Sequence, residues 1–305
     1  MLKLRAQLLA KIRDFFASRN VLEAVTPLLC QTTITAPYLH SLTTQYHFPG
    51  DHKNSKILYL QTSPEFAMKK LIANGSGDIY QICKAFRDEE LGRLHNFEFT
   101  ILEWYRIGFD HHKLMDEMNE FLQFTLNTKK VERLSYAEAF AKYLQIDCFN
   151  TSSEILQKCA HEKGLQNNNN LKNEDIDTWL QLLFSYFIEP NLGEDQPTFI
   201  YDYPASQSAL AKINKSNPKV SSRFEVYING IELANGFHEL NDAKEQKERF
   251  LADQKKRVTL GLPEIAIDEE FINAVGQLPN CAGVALGVDR LLLLLVNANS
   301  LEEIL

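Results

Sequence analysis

From Leu2 to Arg19 the apolar positions Leu4, Leu8, Leu9, Ile12, Phe15 and Phe16 recur at spacings of three, four and seven, the period of an amphipathic helix with one packed face. Asn20 can end that helix. Val21 to Leu29 then reads as a strand reaching Pro27, whose missing N–H suits a sheet edge or a strand end. Ile57 to Gln61 predicts a second strand, and Ser63-Pro64-Glu65 a helix start: Ser63 as N-cap, Pro64 at the first helical position, Glu65 in the first turn of a helix through Ile72. Asp78 to Phe86 and Phe97 to Tyr105 predict two antiparallel strands around a long polar loop, Arg87 to Asn96, with Phe97, Phe99 and Ile101 alternating with Glu98 and Thr100.

Residues 111–128 predict another helix, and Thr151 to Asn191 a helical stretch broken by Asn167 to Asn170, where consecutive asparagines mark a solvated loop. Pro197 to Tyr203 reads as a strand, and Arg223 to Ala234 as a hairpin whose Asn229-Gly230 supplies the positive φ angles of a type I′ turn. Ala285 to Val296 joins a Gly-containing strand to a very apolar helix. Hairpin-paired strands with segregated helices argue for an α+β fold, an antiparallel sheet flanked by helices, rather than a doubly wound parallel sheet.

The length of 305 residues accommodates one large domain, 1–305, with a mostly helical insertion around 150–192. The N-terminus lacks a signal peptide, and no uninterrupted apolar run reaches membrane length, so a cytoplasmic protein without a membrane partner is expected. Cys30, Cys83, Cys148, Cys159 and Cys281 form no CxxC pair and are odd in number, which argues against a zinc site or disulfide framework; reduced, mostly buried thiols are expected. A net charge of −8 disfavours a broad phosphate-tracking surface. The short runs Lys129-Lys130 and Lys255-Lys256-Arg257 read as solvated helix faces.

Three clusters carry chemistry. Phe86-Arg87-Asp88-Glu89, with Arg93, His95, Asn96 and Phe99, places guanidiniums, an imidazole, a carboxylate and an aromatic about one loop. Arginines fork onto phosphate, a carboxylate accepts from an exocyclic amine, and an aromatic face stacks on a purine. Alone, such a tripeptide more often marks a surface loop. Glu232-Leu233-Ala234-Asn235-Gly236-Phe237-His238-Glu239 sets two carboxylates seven residues apart, a donor pair for Mg²⁺ against phosphates, although solvated glutamates are the commoner outcome. Gly283-Val284-Ala285-Leu286-Gly287-Val288-Asp289-Arg290 lets backbone approach a ligand and opens a buried helix with a fixed charge. It is neither a Walker A loop nor a Rossmann fingerprint.

In this order, the segments resemble the signature motifs of class II aminoacyl-tRNA synthetases: Leu22 to Leu29 the dimer-forming motif 1, Phe86 to Tyr105 motif 2, and Gly283 to Arg290 motif 3. Leu60-Gln61-Thr62-Ser63-Pro64-Glu65 and Glu232 to Asp242 narrow the resemblance to the lysyl subgroup, over nearly the whole chain. It implies that Arg87 and Arg290 grip ATP phosphates as catalytic residues. Asp88, Glu89, His95, Asn96, Phe99, Glu232, Leu233 and Gly287 would complete the ATP site; Glu232 and Glu239 would hold Mg²⁺; and Ser63, Pro64, Glu65, Glu103, Tyr105, Glu239 and Ala285 would face a lysine-like substrate.

The departures sharpen the resemblance. The motif 1 helix begins within a few residues of Met1, so no anticodon-binding domain is expected before it. Ala285 replaces the middle glycine of motif 3, His238 a usual serine, and Phe97 a usual proline. These features resemble the elongation factor P (R)-β-lysine ligases, synthetase-like enzymes that activate (R)-β-lysine with ATP and transfer it to a lysine ε-amine of elongation factor P. The resemblance implies a homodimer, (R)-β-lysine or lysine as substrate, ATP and Mg²⁺, and no tRNA. The rivals are a truncated lysyl-tRNA synthetase and a non-catalytic lysine- or ATP-binding paralogue.

Overall fold

The computed structural model describes residues 1–165 and 175–304, except the side chains of 51 and 52. In chain order it contains α1 (Leu2–Ala17), β1 (Leu22–Glu23), β2 (Leu29–Cys30), β3 (Thr43–Phe48), β4 (Asp51–Leu60), α2 (Glu65–Ala73), β5 (Ile79–Phe86), β6 (Glu98–Ile107) and α3 (His111–Leu126). These are followed by β7 (Glu132–Ser135), α4 (Tyr136–Leu144), α5 (Ser153–Glu162), α6 (Ile176–Leu183), β8 (Thr198–Pro204), β9 (Val220–Ile228) and β10 (Ile231–His238). The last elements are α7 (Ala243–Thr259), α8 (Glu269–Val275), β11 (Cys281–Gly287) and α9 (Val288–Val296). The class is α+β. Two compact units emerge, Met1–Phe109 with Glu239–Leu305, and Asp110–His238. No helix of the described residues is long and apolar enough to cross a membrane.

In the first unit the strands run β1-β5-β6-β11. β1 joins β5 in parallel; β5 with β6 and β6 with β11 are antiparallel. Strand alternation gives this sheet two different faces. One carries Tyr80 and Trp104 under α1, where Phe16 stacks on Tyr80 at 4.4 Å and meets Trp104 edge-on at 5.3 Å. The other carries Gln81, Glu103 and Tyr105, buried polar groups in the middle of the sheet. Helices α2, α7 and α8 pack through Phe66, Phe250 and Phe271, the first and last stacked at 3.8 Å.

The second unit orders its strands β10-β9-β8-β7, with β7 parallel to β8 and the remaining pairs antiparallel. Its core joins Tyr136, Phe140, Leu183 and Phe184 from the α4–α6 region to Tyr203 and Tyr227 of the sheet. Asn229 and Gly230 at φ 52° and 68° turn the β9–β10 hairpin, the left-handed pair that the sequence requires there.

Several readings need correction. Val21 to Leu29 is no continuous strand: β1 and β2 are two residues each, and Val25 to Pro27 lie between their pairings. Ser63 does not cap α2 through its N-terminal turn; Pro64 holds the cap position, Glu65 begins the helix, and Ser63 Oγ accepts from the Glu65 amide at 3.4 Å. Only Cys148 and Cys281 are buried among the five free cysteines. Arg257 is no solvated charge either, being 3% exposed and donating to the Pro263 and Ala36 carbonyls. The Asn167–Asn170 loop reading lies outside the described residues.

Candidate active site

The loop between β5 and β6 folds back on itself. Gly92 and His95 exchange backbone hydrogen bonds, Asp88 Oδ1 accepts from the Glu89 amide, and Glu89 sits at φ 62°, a left-handed conformation uncommon outside glycine. Arg87 leaves β5 with its guanidinium 5.0 Å from the Phe99 ring centroid, its Nε donating to the Thr62 carbonyl, and Glu90 at 3.6 Å. Asn96 turns its amide to the Glu98 carbonyl. Arg290, on the first turn of α9, reaches the same loop: Nε donates to the Leu94 carbonyl at 3.3 Å and Nη2 lies 2.9 Å from His95 Nε2. Partial burial and then the Arg290 charge hold the His95 imidazole below its usual value, leaving a neutral ring beside the guanidinium.

Asp289 fixes where Arg290 begins. This buried carboxylate accepts from Arg5 of α1 at 2.5 Å and from the Thr100 amide of β6 at 2.6 Å. Gly287 faces Ile101 across the ladder, and a Cβ there would rest at ordinary contact distance on the Arg290 side chain. Arg87, His95, Phe99, Gly287 and Arg290 therefore converge at one end of β6.

Further along the same strand face lies an acidic pocket. Tyr105 donates to Glu103 Oε1 at 2.6 Å, and Glu103 Oε2 is buried without a hydrogen-bond partner. Above them Lys69 of α2 is 1% exposed and bridges Glu65 Oε1 and Glu239 Oε2, each at 2.6 Å. Burial alone would draw the Lys69 ammonium down, but the Glu239 and Glu65 charges outweigh it and hold it above the usual lysine range. Glu103 moves oppositely for a carboxylate: burial, then the Glu65 charge, push it up to about 8 despite the Tyr105 bond and Lys69. Three carboxylates thus surround one internal cation. Ala285 stands opposite Glu103 on β11, and Gly283 opposite Tyr105. A Cβ at Gly283 would overlap the Tyr105 ring and approach Glu239 Oε1 to 2.6 Å, so only glycine lets those groups close on the backbone.

In the second unit, Glu232 is half-buried before the β10 bulge, and Leu233, the extra residue in it, is buried. Glu225 beside them accepts from Tyr203, Tyr227, Arg223 and Asn235, a buried network that rigidifies the β9–β10 hairpin.

The match of residues 1–305 to the model of tRNA synthetases class II (D, K and N) agrees with this arrangement of strands, loop and helix-borne arginine. The chain belongs to that family. Its relatives include elongation factor P–(R)-β-lysine ligases of Vibrio cholerae serotype O1, 53% identical over 304 residues covering 99% of this chain and 93% of the relative, and Vibrio parahaemolyticus serotype O3:K6, 50% identical with 99% and 94% covered. The ligase of Salmonella paratyphi B is 48% identical over 302 residues, covering 99% and 92%. The chain is an ATP-dependent ligase on the class II synthetase fold.

Set in that family, the pocket holds two side chains that sequence reasoning passed over. Lys69 follows Glu65 at i, i+4, a spacing that could have flagged the pair, but a helix lysine reads as solvated. Gln81, 2% exposed, faces Glu103 across the β5–β6 ladder with its carbonyl oxygen unpartnered. Ser63, Pro64 and Glu65 stand together at the α2 start, while Asp88 and Glu89 project from the outer turn of the loop.

Proposed function

We propose that the chain activates (R)-β-lysine with ATP as an aminoacyl-adenylate and transfers it to a lysine ε-amine of elongation factor P, in the cytoplasm, as a homodimer. One observation carries the reading: a buried acidic pocket for a diamino acid and a two-arginine loop for a nucleotide share one face of β6. The relatives' name supplies the acyl acceptor and the β-isomer.

The substrate carboxylate attacks the α-phosphorus of ATP, the bond to the bridging oxygen breaks, and pyrophosphate leaves. Arg87 and Arg290 offset the charge growing on phosphate oxygens, and Phe99 carries the adenine; Asp88, Glu89, His95, Asn96 and Gly287 complete the nucleotide contacts. A neutral lysine amine then attacks the mixed anhydride, AMP departs, and the amine proton passes to solvent. No covalent enzyme intermediate is needed.

The carboxylates fit Mg²⁺ only in part. Glu239 is engaged by Lys69, and the Glu232 charge acts on Arg223, so each of the two carboxylates already faces a cation of the chain. When bound, Mg²⁺ neutralises phosphate charge. Glu239 belongs with Ser63, Pro64, Glu65, Glu103, Tyr105 and Ala285 on the amino-acid side.

The dimer reading draws on the motif 1 segment, where Leu22, Val25, Leu28 and Leu29 are exposed, Val25 at 91%. Beside them lies a cleft of about 580 Å³ lined by Pro27, Leu29, Phe66 and Leu71. Exposed apolar groups this dense suit a self-complementary interface.

The test is amino-acid-dependent ATP–pyrophosphate exchange with (R)-β-lysine and lysine in parallel, followed by mass spectrometry of elongation factor P. Exchange favouring (R)-β-lysine, with one residue added to the factor, supports the reading. Exchange with lysine and charging only of tRNA overturns it.

A further inference from the structure

We propose that Gln81 is a specificity-determining residue: its side-chain carbonyl and Glu103 Oε2 form the subsite that receives the ammonium of the substrate farthest from its carboxylate. The inference deepens the proposed function and rests on it. Gln81 and Glu103 are directly opposed on adjacent antiparallel strands, so their side chains rise from the same sheet face with Cβ atoms roughly 5 Å apart. Each is 2% exposed. Each also presents an oxygen, Gln81 Oε1 and Glu103 Oε2, that is buried without a hydrogen-bond partner. With Glu103 ionised, two orphaned acceptors in register are unfavourable unless a ligand supplies donors. An ammonium supplies three.

The neighbours select this ligand class. Lys69 already occupies the inner oxygens of Glu65 and Glu239, and Tyr105 donates to the other Glu103 oxygen. The Gln81 amide is itself tied to the Cys83 thiol, which fixes the carbonyl as the end left for a ligand. Phe99 lies four residues back along β6, about 13 Å from Glu103 at the rise of a strand, with the Arg87 guanidinium beside its ring. The carboxylate of the amino acid must point toward the nucleotide at that end, which sends the distal ammonium to Glu103. A neutral amide at position 81 gives the subsite one titrating carboxylate, where a second would raise the proton affinity of both.

The full-length enzyme is assayed for exchange with (R)-β-lysine as substrate and 3-aminohexanoic acid, which lacks the distal amine, as competitor. For Gln81→Leu the KM for (R)-β-lysine rises about tenfold, kcat stays within about twofold, and the inhibition constant of the competitor is unchanged. A KM that does not move, or one that rises in step with the inhibition constant, overturns the assignment. If Gln81→Leu fails to fold, Gln81→Glu keeps shape and charge-tests the subsite: the pH at which (R)-β-lysine binds best moves upward, and an unmoved profile overturns the assignment. Wild-type exchange with neither (R)-β-lysine nor lysine overturns the activation reading itself, a result distinct from either variant's.

Discussion

On the proposed function, Glu103 should make amino-acid binding a proton-release reaction. Its carboxyl is pushed up to about 8, from an unperturbed 4.5, by burial and then by Glu65. At pH 7 about nine in ten unliganded molecules therefore hold a proton there. A substrate ammonium needs the carboxylate, so binding at pH 7 expels close to one proton and is weakened about tenfold relative to pH 9. The substrate amines stay largely protonated over that range. The assay is isothermal calorimetry of the diamino acid at pH 7 in phosphate and in Tris, whose ionisation enthalpies differ, with Kd measured from pH 6.5 to 9. Glu103→Gln abolishes both the proton release and the pH slope while weakening affinity. A pH-independent wild-type Kd, or proton release that survives in Glu103→Gln, refutes the reasoning. The linkage has a stability counterpart. Because the folded value lies above the unfolded one, the Glu103 contribution is fully present below pH 4.5 and is lost as pH rises through 8, a difference of at most about 5 kcal/mol. Glu103→Gln should thus gain stability over wild type at pH 9.

Lys69→Met leaves Glu239 and Glu65 facing each other without their cation, and should cost about 3–5 kcal/mol in urea unfolding at pH 7, with part of the loss recovered by adding Glu239→Gln. Arg87→Ala and Arg290→Ala each lower pyrophosphate exchange by 10²-fold or more with an unchanged melting temperature; near-normal exchange in either removes its phosphate role. Gly283→Ala forces Tyr105 and Glu239 apart, costing about 1–3 kcal/mol in thermal unfolding and raising the KM for the amino acid more than that for ATP.

The sequence displayed its hairpins better than its pocket. Asn229-Gly230 announced the β9–β10 turn because positive φ at consecutive positions leaves few residue choices. Strand β3 was illegible, since all six of its residues are exposed and no face is apolar enough to set a period. The motif 1 segment misled in the opposite sense, its aliphatic residues imitating a strand although Val25, Leu28 and Leu29 point to solvent. The resemblance to class II motifs drew attention to Arg87, Phe99 and Arg290, and the structure sets Arg87 beside Phe99 and Arg290 beside His95. Lys69 and Gln81 were not, because a helical lysine and a strand glutamine acquire meaning only when folding removes their water and sets carboxylates 2.6 Å away or directly across a ladder.

The Asp289 hub offers a spectroscopic handle. The Thr100 amide donates to a buried carboxylate next in sequence to Arg290, while the other oxygen of that carboxylate is clamped by Arg5. An N–H held at 2.6 Å by a carboxylate oxygen resonates far downfield in a proton–nitrogen correlation spectrum, away from the crowded amide envelope. Any shift of the α9 start when a nucleotide draws on Arg290 is transmitted to that one peak, so nucleotide occupancy can be titrated in the intact enzyme without a label on the ligand.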